Sequence, residues 1–241
     1  MNIIFPLYPF TKTIDADYLD EYNYVKNNTN FNIIMIDFEN KKIFNKNNDI
    51  SIYRGWMLSE DEYSWLNSSL NLMINTEIYL NMQYLPNWYK YIKDLTFKSL
   101  IYDSLDEFTT STFVINKKYL IKNFVKSIYD KNGPVVSENK DEIIQSIQSD
   151  KYNNFPGIVL REFEELQNET EKRVFVFKKC ILNKSDSIPL IEKVVDLLPY
   201  GILYSIDYVL TKNNEFKIVE IGDGQTSSLK NCSIFDFYKN L

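Results

Sequence analysis

Apolar and polar positions along this chain change over in short runs, and the runs alternate in kind. Asn2 to Leu7 reads as a short strand, and Phe31 to Asp37 and Ile50 to Arg54 are further β-rich runs. Asp15 to Lys26, rich in acids and tyrosines, suits a helix between the first two. Ser59 to Leu70 reads as a second helix, with Ser59 as N-cap and Glu62 three residues on completing a capping box. Leu72 to Ile74 is a brief strand, and an aromatic helical stretch follows around Tyr79 to Tyr91. This alternation predicts an α/β N-terminal lobe.

The second half predicts a different mix. Thr112 to Ile115 and Tyr119 to Val125 read as strands, and Lys131-Asn132-Gly133-Pro134 as a turn. Ser137 to Ser149 suits a helix, Gly157 to Phe163 a strand running into a loop, Arg173 to Ile181 a strand, and Ile188 to Leu198 a helix. Tyr204 to Leu210 and Glu215 to Ile221 make a hairpin across Thr211 to Asn214. A boundary near Leu95 to Leu105 divides the chain into an N-terminal lobe, 1–100, and a second region, 101–241.

Composition narrows the chemistry. The 241 residues are enough for one two-lobed unit or two small domains, and a hydrophobic share of 44% with 15% aromatic residues is that of a globular chain. Lys and Arg number 27 against 33 Asp and Glu, a net charge of −6 that argues against nucleic-acid backbone binding. There are no histidines, so His-based triads, His-ligated zinc and His general bases are excluded. Acid–base work falls to carboxylates, Lys, Tyr, Cys or the substrate. Cys180 and Cys232 have no metal-type spacing and are expected as buried, reduced thiols. The N-terminus lacks a basic segment and a long apolar stretch, and no run reaches the length of a membrane span. The expectation is a soluble, cytoplasmic protein.

Four stretches carry candidate chemistry. Asp207 interrupts an apolar strand and Glu220 lies in its partner, followed by Gly222-Asp223-Gly224-Gln225. Carboxylates on adjacent strands suit an oxygen-ligand Mg²⁺ site; the alternative is a solvated face on which Asp207 pairs with a lysine. Lys122 and Lys126, read in strand register, point to one side, where a polyphosphate would relieve their repulsion; otherwise both are surface lysines. Val159 to Leu166 leaves an apolar run for Arg161, Glu162, Phe163, Glu164 and Glu165, a strand end fit for an adenine edge and ribose hydroxyls, or simply a strand becoming a solvated loop. Arg173 opens another strand, where it can neutralise phosphate or pair with Glu171 or Glu162.

The order of these signals resembles the ATP-grasp superfamily. The similar motifs are Arg54-Gly-Trp-Met-Leu58, Leu85-Pro-Asn-Trp-Tyr89, Lys122-Asn-Phe-Val-Lys-Ser127, Val159-Leu-Arg-Glu-Phe163, Glu171-Lys-Arg-Val-Phe175, Ile206-Asp-Tyr208 and Glu220-Ile-Gly-Asp-Gly-Gln225. They resemble a divergent clade that includes the eukaryotic cell-division-cycle assembly factor of translation initiation factor two, with bacterial and viral relatives. The likeness spans roughly Tyr53 to Leu229. It implies an α+β ATP-grasp fold, two lobes with ATP between them, preceded by a small α/β N-terminal lobe. By resemblance, Lys122 contacts ATP phosphates with Lys126 and Ser127 nearby, and Glu162, Phe163 and Glu165 line the adenine and ribose site, with Glu165 on the ribose. Arg161 and Arg173 stabilise the transferring phosphate, and Asp207, Glu220 and Asp223 hold Mg²⁺. Relatives often place an Asn where this chain has Gly222, so either Asp223 or Gln225 replaces it, or the site binds fewer metals. Arg54 either reaches an acidic acceptor or stacks on Trp56 or Trp88. The implied activity is carboxylate–amine ligation through an acyl phosphate, with a carboxylate acceptor that could be a peptide or protein. The alternative is an ATP-dependent assembly factor that forms no bond.

Overall fold

The computed structural model describes residues 1–112, 116–150 and 156–241. In chain order the first elements are β1 (Asn2–Pro6), α1 (Leu19–Asn28), β2 (Asn32–Asp37), β3 (Lys42–Phe44), β4 (Ser51–Tyr53), α2 (Glu60–Ser69), α3 (Thr76–Gln83) and α4 (Leu85–Ile92). Next come β5 (Ser99–Tyr102), α5 (Leu105–Thr110), β6 (Tyr119–Lys122), the small β7 (Tyr129–Asp130) and β8 (Gly133–Pro134), β9 (Val136–Ser137) and α6 (Lys140–Ser149). The chain closes with β10 (Ile158–Glu162), β11 (Lys172–Phe177), β12 (Cys180–Ile181), α7 (Pro189–Leu197), β13 (Leu203–Leu210), β14 (Phe216–Asp223) and α8 (Ile234–Tyr238).

Two compact units share these elements. Unit 1 is residues 1–82, 172–207 and 221–241, and unit 2 is residues 83–171 and 208–220. The chain passes between these units four times, after residues 82, 171, 207 and 220. The sequence signal near Leu95 to Leu105 was a change in element pattern, whereas the units are set by which strands pair.

Unit 1 contains a sheet in the order β3-β2-β1-β4, with β1 parallel to both β2 and β4. All five residues of β1 are buried, as expected of a central parallel strand covered on both faces. Its core joins Ile3, Phe5, Ile34 and Ile52 to Tyr63 of α2 and Tyr79 of α3, whose rings stack at 3.8 Å. The Ser59–Glu62 capping box forms as the sequence predicts. A second sheet runs β12-β11-β13-β14.

Unit 2 is built on the antiparallel sheet β5-β10-β6-β9. Alternation along its strands sends Tyr119, Ile121, Ile158 and Leu160 to one face, where they form a core with Phe108 of α5 and Ile143 and Ile147 of α6. The register pairs Val159 with Lys122 and Arg161 with Leu120, so these four side chains share the opposite face.

Several elements depart from the sequence reading. The aromatic helical stretch is two helices, broken at Tyr84, with Pro86 in the first turn of α4. Leu72 makes one parallel bridge to Ser51 in place of a strand. The strand expected from Arg173 to Ile181 folds back at Lys178 and Lys179, whose φ angles are 47° and 65°. Of the strand expected over Thr112 to Ile115, residues 113–115 lie outside the described residues. Cys232 is buried as expected, but Cys180 sits on the β11–β12 hairpin and is exposed. No described helix is long and apolar enough to cross a membrane.

Candidate nucleotide site

The open face of the unit 2 sheet carries a pocket of about 310 Å³. Its walls are apolar, with Phe97, Leu120, Val136, Phe163, Leu166 and Val219 among them, and Arg161 reaches into the lining. Val136 stands opposite Leu120, which stands opposite Arg161, so one row across β9, β6 and β10 supplies three of these side chains.

Arg161 is buried, and its position is chemically unusual. Nη1 donates to the carbonyl of Val219 at 2.6 Å. Nε and Nη2 are buried with no hydrogen-bond partner. Burial pushes the guanidinium down to about 10, with Glu220 pulling the other way. A buried donor left unmade costs on the order of 1–3 kcal/mol, more when charged, so this side chain is set up for an anion.

Lys122 ends β6 and is also buried. Its Nζ lies 3.3 Å from the Ser127 hydroxyl. Burial pushes the ammonium down to about 8; Glu220 raises it, and Arg161 and Lys126 lower it further. Lys122, Arg161 and Glu220 therefore act on one another electrostatically. Lys126 does not share the strand register of Lys122. Asn123 turns the chain, its Oδ1 accepting from the amides of Val125 and Lys126, and Lys126 is exposed.

The carboxylates at and after the end of β10 divide. Glu162 and Glu164 line the pocket, paired to Lys117 at 2.9 Å and Lys217 at 2.5 Å respectively. Glu165 does not line it; its carboxylate is exposed and bonded to Lys212. Glu164 therefore lines this pocket, whereas Glu165, which the sequence favoured for the ribose, does not. The strand ends at Glu162, and without a continuing ladder nothing fixes strict alternation of the following side chains.

In unit 1, Asp207 and Arg173 meet. Arg173 Nε and Nη2 grip the two oxygens of Asp207 at 2.6 and 2.7 Å, and Lys230 Nζ adds a third donor at 3.1 Å. The sequence left Arg173 either to neutralise phosphate or to pair with Glu171 or Glu162; the sheet order β11-β13 brings Asp207 to it.

Asp223 is spent inside a turn. Its Oδ1 accepts from the amide of Gln225 at 2.9 Å and from Gln225 Nε2 at 3.2 Å. Burial pushes its carboxyl up to about 7, against those hydrogen bonds. No group of three or more acidic or cysteine side chains gathers to hold a metal among the described residues. The expected set of Asp207, Glu220 and Asp223 is therefore not assembled.

Arg54 is wholly buried. Its Nε and Nη2 bind Glu21, and Nη1 donates to the carbonyls of Gly224, Gln225 and Ser227. Burial lowers its affinity for a proton, but the Glu21 carboxylate overrides this and the net effect is upward. Its guanidinium stacks on Phe237 at 4.7 Å, and neither Trp56 nor Trp88 takes that place. Both readings of this residue from sequence give way to a structural clasp.

No family model matches the sequence, and no curated protein matches it. Solved structures do. D-alanyl-alanine synthetase A from Vibrio cholerae superposes with a TM-score of 0.61 at 12% identity, over 99% of this chain and 93% of that one. A RimK domain protein, ATP-grasp, from Sphaerobacter thermophilus gives 0.59 at 9% identity, over 94% and 92%. The chain has the ATP-grasp fold. C-terminally truncated Cdc123 from Schizosaccharomyces pombe gives 0.49 at 13% identity over 63% of this chain and 87% of that one, too low to add to the fold assignment.

Proposed function

We propose that this ATP-grasp chain binds ATP through unit 2 and uses it for carboxylate–amine ligation. One observation carries the reading: two buried cations, Lys122 and Arg161, the second with unpartnered donors, lie on the sheet face that forms an apolar pocket. A flat apolar base suits walls of Phe97, Phe163 and Val136, and a polyphosphate would relieve the repulsion between the cations. Glu162 and Glu164 bring carboxylates to the same pocket, within the chemistry that recognises ribose hydroxyls.

Glu220, whose charge acts on both Lys122 and Arg161, is the carboxylate that would hold Mg²⁺, and the ion would neutralise phosphate charge. Lys122 and Arg161 would orient the polyphosphate and stabilise charge on its oxygens. In the proposed reaction the γ-phosphoryl group passes to a carboxylate oxygen and ADP leaves. An amine nitrogen then attacks the acyl carbon, the C–O bond to phosphate breaks, and the nitrogen loses its proton. A synthetase and a RimK domain protein among the fold neighbours support ligation; a peptide or protein carboxylate is the acceptor class we assign.

Calorimetric titration of ATP into the purified protein tests the reading. Binding at one site, weakened at least about tenfold by Lys122→Ala, is expected, a change of roughly 1.4 kcal/mol. Absence of binding with and without Mg²⁺ would remove it.

A further inference from the structure

We infer that unit 1 carries a docking cleft for an acidic peptide segment. The cleft is a cavity of about 830 Å³ bounded by the β11–β12 hairpin, the turn at Lys184–Asp186 and α8. Its buried lining is apolar, Phe177 and Leu182 beside the half-buried Ile181. Three lysines, Lys178, Lys184 and Lys239, line it as well.

Among the lining residues one carboxylate stands against these cations, and it is already satisfied. Asp236 accepts from Lys239 Nζ at 2.6 Å and from the Ser233 hydroxyl at 2.8 Å. Neither Lys178 nor Lys184 forms an ion pair among the described residues. Lys178 Nζ lies 4.9 Å from the centre of the Phe177 ring. The cleft is thus positive in a chain whose net charge is −6. Turn chemistry gives no reason for a lysine at this place. Lys178 and Lys179 hold the two central positions of the hairpin, with φ of 47° and 65°, where Asn and Gly are at ease.

The chemistry of the cleft selects a peptide. No arginine lines it, so it lacks the fork that grips one carboxylate or phosphate from two sides, and separate lysine charges suit a run of carboxylates. β12 is the edge strand of its sheet, and the Leu182 amide turns inward to the Phe175 carbonyl at 2.9 Å. Alternation along the ladder then turns the N–H and C=O of Ile181 outward, where an extended segment can pair with them. A nucleic-acid strand needs exposed aromatic faces for its bases, and the Phe177 ring is 6% exposed.

Cys180 reads occupancy, since it lines the cleft and is exposed while Cys232 is buried. Iodoacetamide, a neutral reagent, is reacted with the full chain in the absence of nucleotide. The chain stands alone or with hexaglutamate, hexaglutamine, inorganic phosphate or an oligouridylate, and modification of Cys180 is followed by mass spectrometry. Hexaglutamate is expected to slow alkylation at least about fivefold at low salt, with the effect falling as salt rises. Hexaglutamine should give no protection. Lys178→Glu combined with Lys184→Glu should abolish the protection by hexaglutamate while Cys180 stays reactive. No protection by hexaglutamate, equal protection by hexaglutamine, or stronger protection by phosphate or the oligouridylate overturns the inference. So does protection retained in the double variant. None of these outcomes depends on whether unit 2 binds ATP.

Discussion

Arg173 holds Asp207 in a two-pronged ion pair, its Nε and Nη2 at 2.6 and 2.7 Å from the two carboxylate oxygens. Both side chains are largely buried, at 12% and 5% exposure, so the pair is shielded from the screening that weakens surface bridges. Asp207→Asn removes the carboxylate that Arg173 grips in this pair. The expected loss is about 3–5 kcal/mol in urea unfolding. Arg173→Met combined with Asp207→Asn should lose less than the two single changes together. Additive losses would mean that the two residues act independently.

Arg161 predicts a conflict between stability and binding. Arg161→Met removes a buried guanidinium with two unpartnered nitrogens and leaves only the Val219 carbonyl without its donor. The unliganded protein should gain about 1–2 kcal/mol, since an apolar group replaces a buried, incompletely paired charge. Its affinity for ATP should fall by about tenfold or more. Thermal unfolding with and without nucleotide reads both effects, and a variant less stable than the parent in both states would contradict the anion-site reading.

Lys122 predicts proton uptake. Burial has pushed its ammonium down to about 8 from 10.5, so near and above pH 8 part of the unliganded population is neutral. A bound polyphosphate favours the charged form, so ATP binding at that pH should take up a proton and weaken as pH rises. Calorimetry in two buffers of different ionisation heat measures the uptake, which should vanish in Lys122→Arg. Unliganded stability moves the other way: the unfolded chain binds more protons between about pH 8 and 10.5, so stability rises with pH across that window.

Asp223 predicts a pH dependence of the opposite sense. Its carboxyl is raised from 3.8 to about 7, chiefly by burial. The folded state therefore holds a proton that the unfolded state has released. The resulting stability is fully present below pH 3.8 and is lost as pH rises through about 7. Asp223→Asn should flatten the unfolding-midpoint profile between about pH 3.8 and 7. An unchanged slope would place the titration elsewhere.

Local pattern made some of this legible. The apolar run of β1, the Ser59–Glu62 cap and the interrupted strand around Asp207 are decided by neighbours within a few residues. So was the placement of Lys122 and Arg161 on strands, from which their shared face follows once β6 and β10 are paired. Lys126 was misplaced because an Asx turn at Asn123 ends β6 sooner than strand propensity suggests. Sequence gave no signal for Glu164 over Glu165, since past Glu162 the chain leaves the ladder and side-chain alternation no longer holds.

By itself, then, the sequence determined which segments are strands and helices, that no histidine takes part, and which cations and carboxylates were available. Those properties depend on residue type and on contacts a few positions apart. Tertiary structure decided which of them meet. Arg54 and Gln225 lie 171 positions apart, and no local pattern foretells that one fastens the backbone of the other. The same holds for Asp207, 34 positions from Arg173, whose charge is answered within its own unit. Burial completes the division: a lysine or aspartate carries its ordinary proton affinity in any sequence, and only the packed surroundings of Lys122 and Asp223 move it.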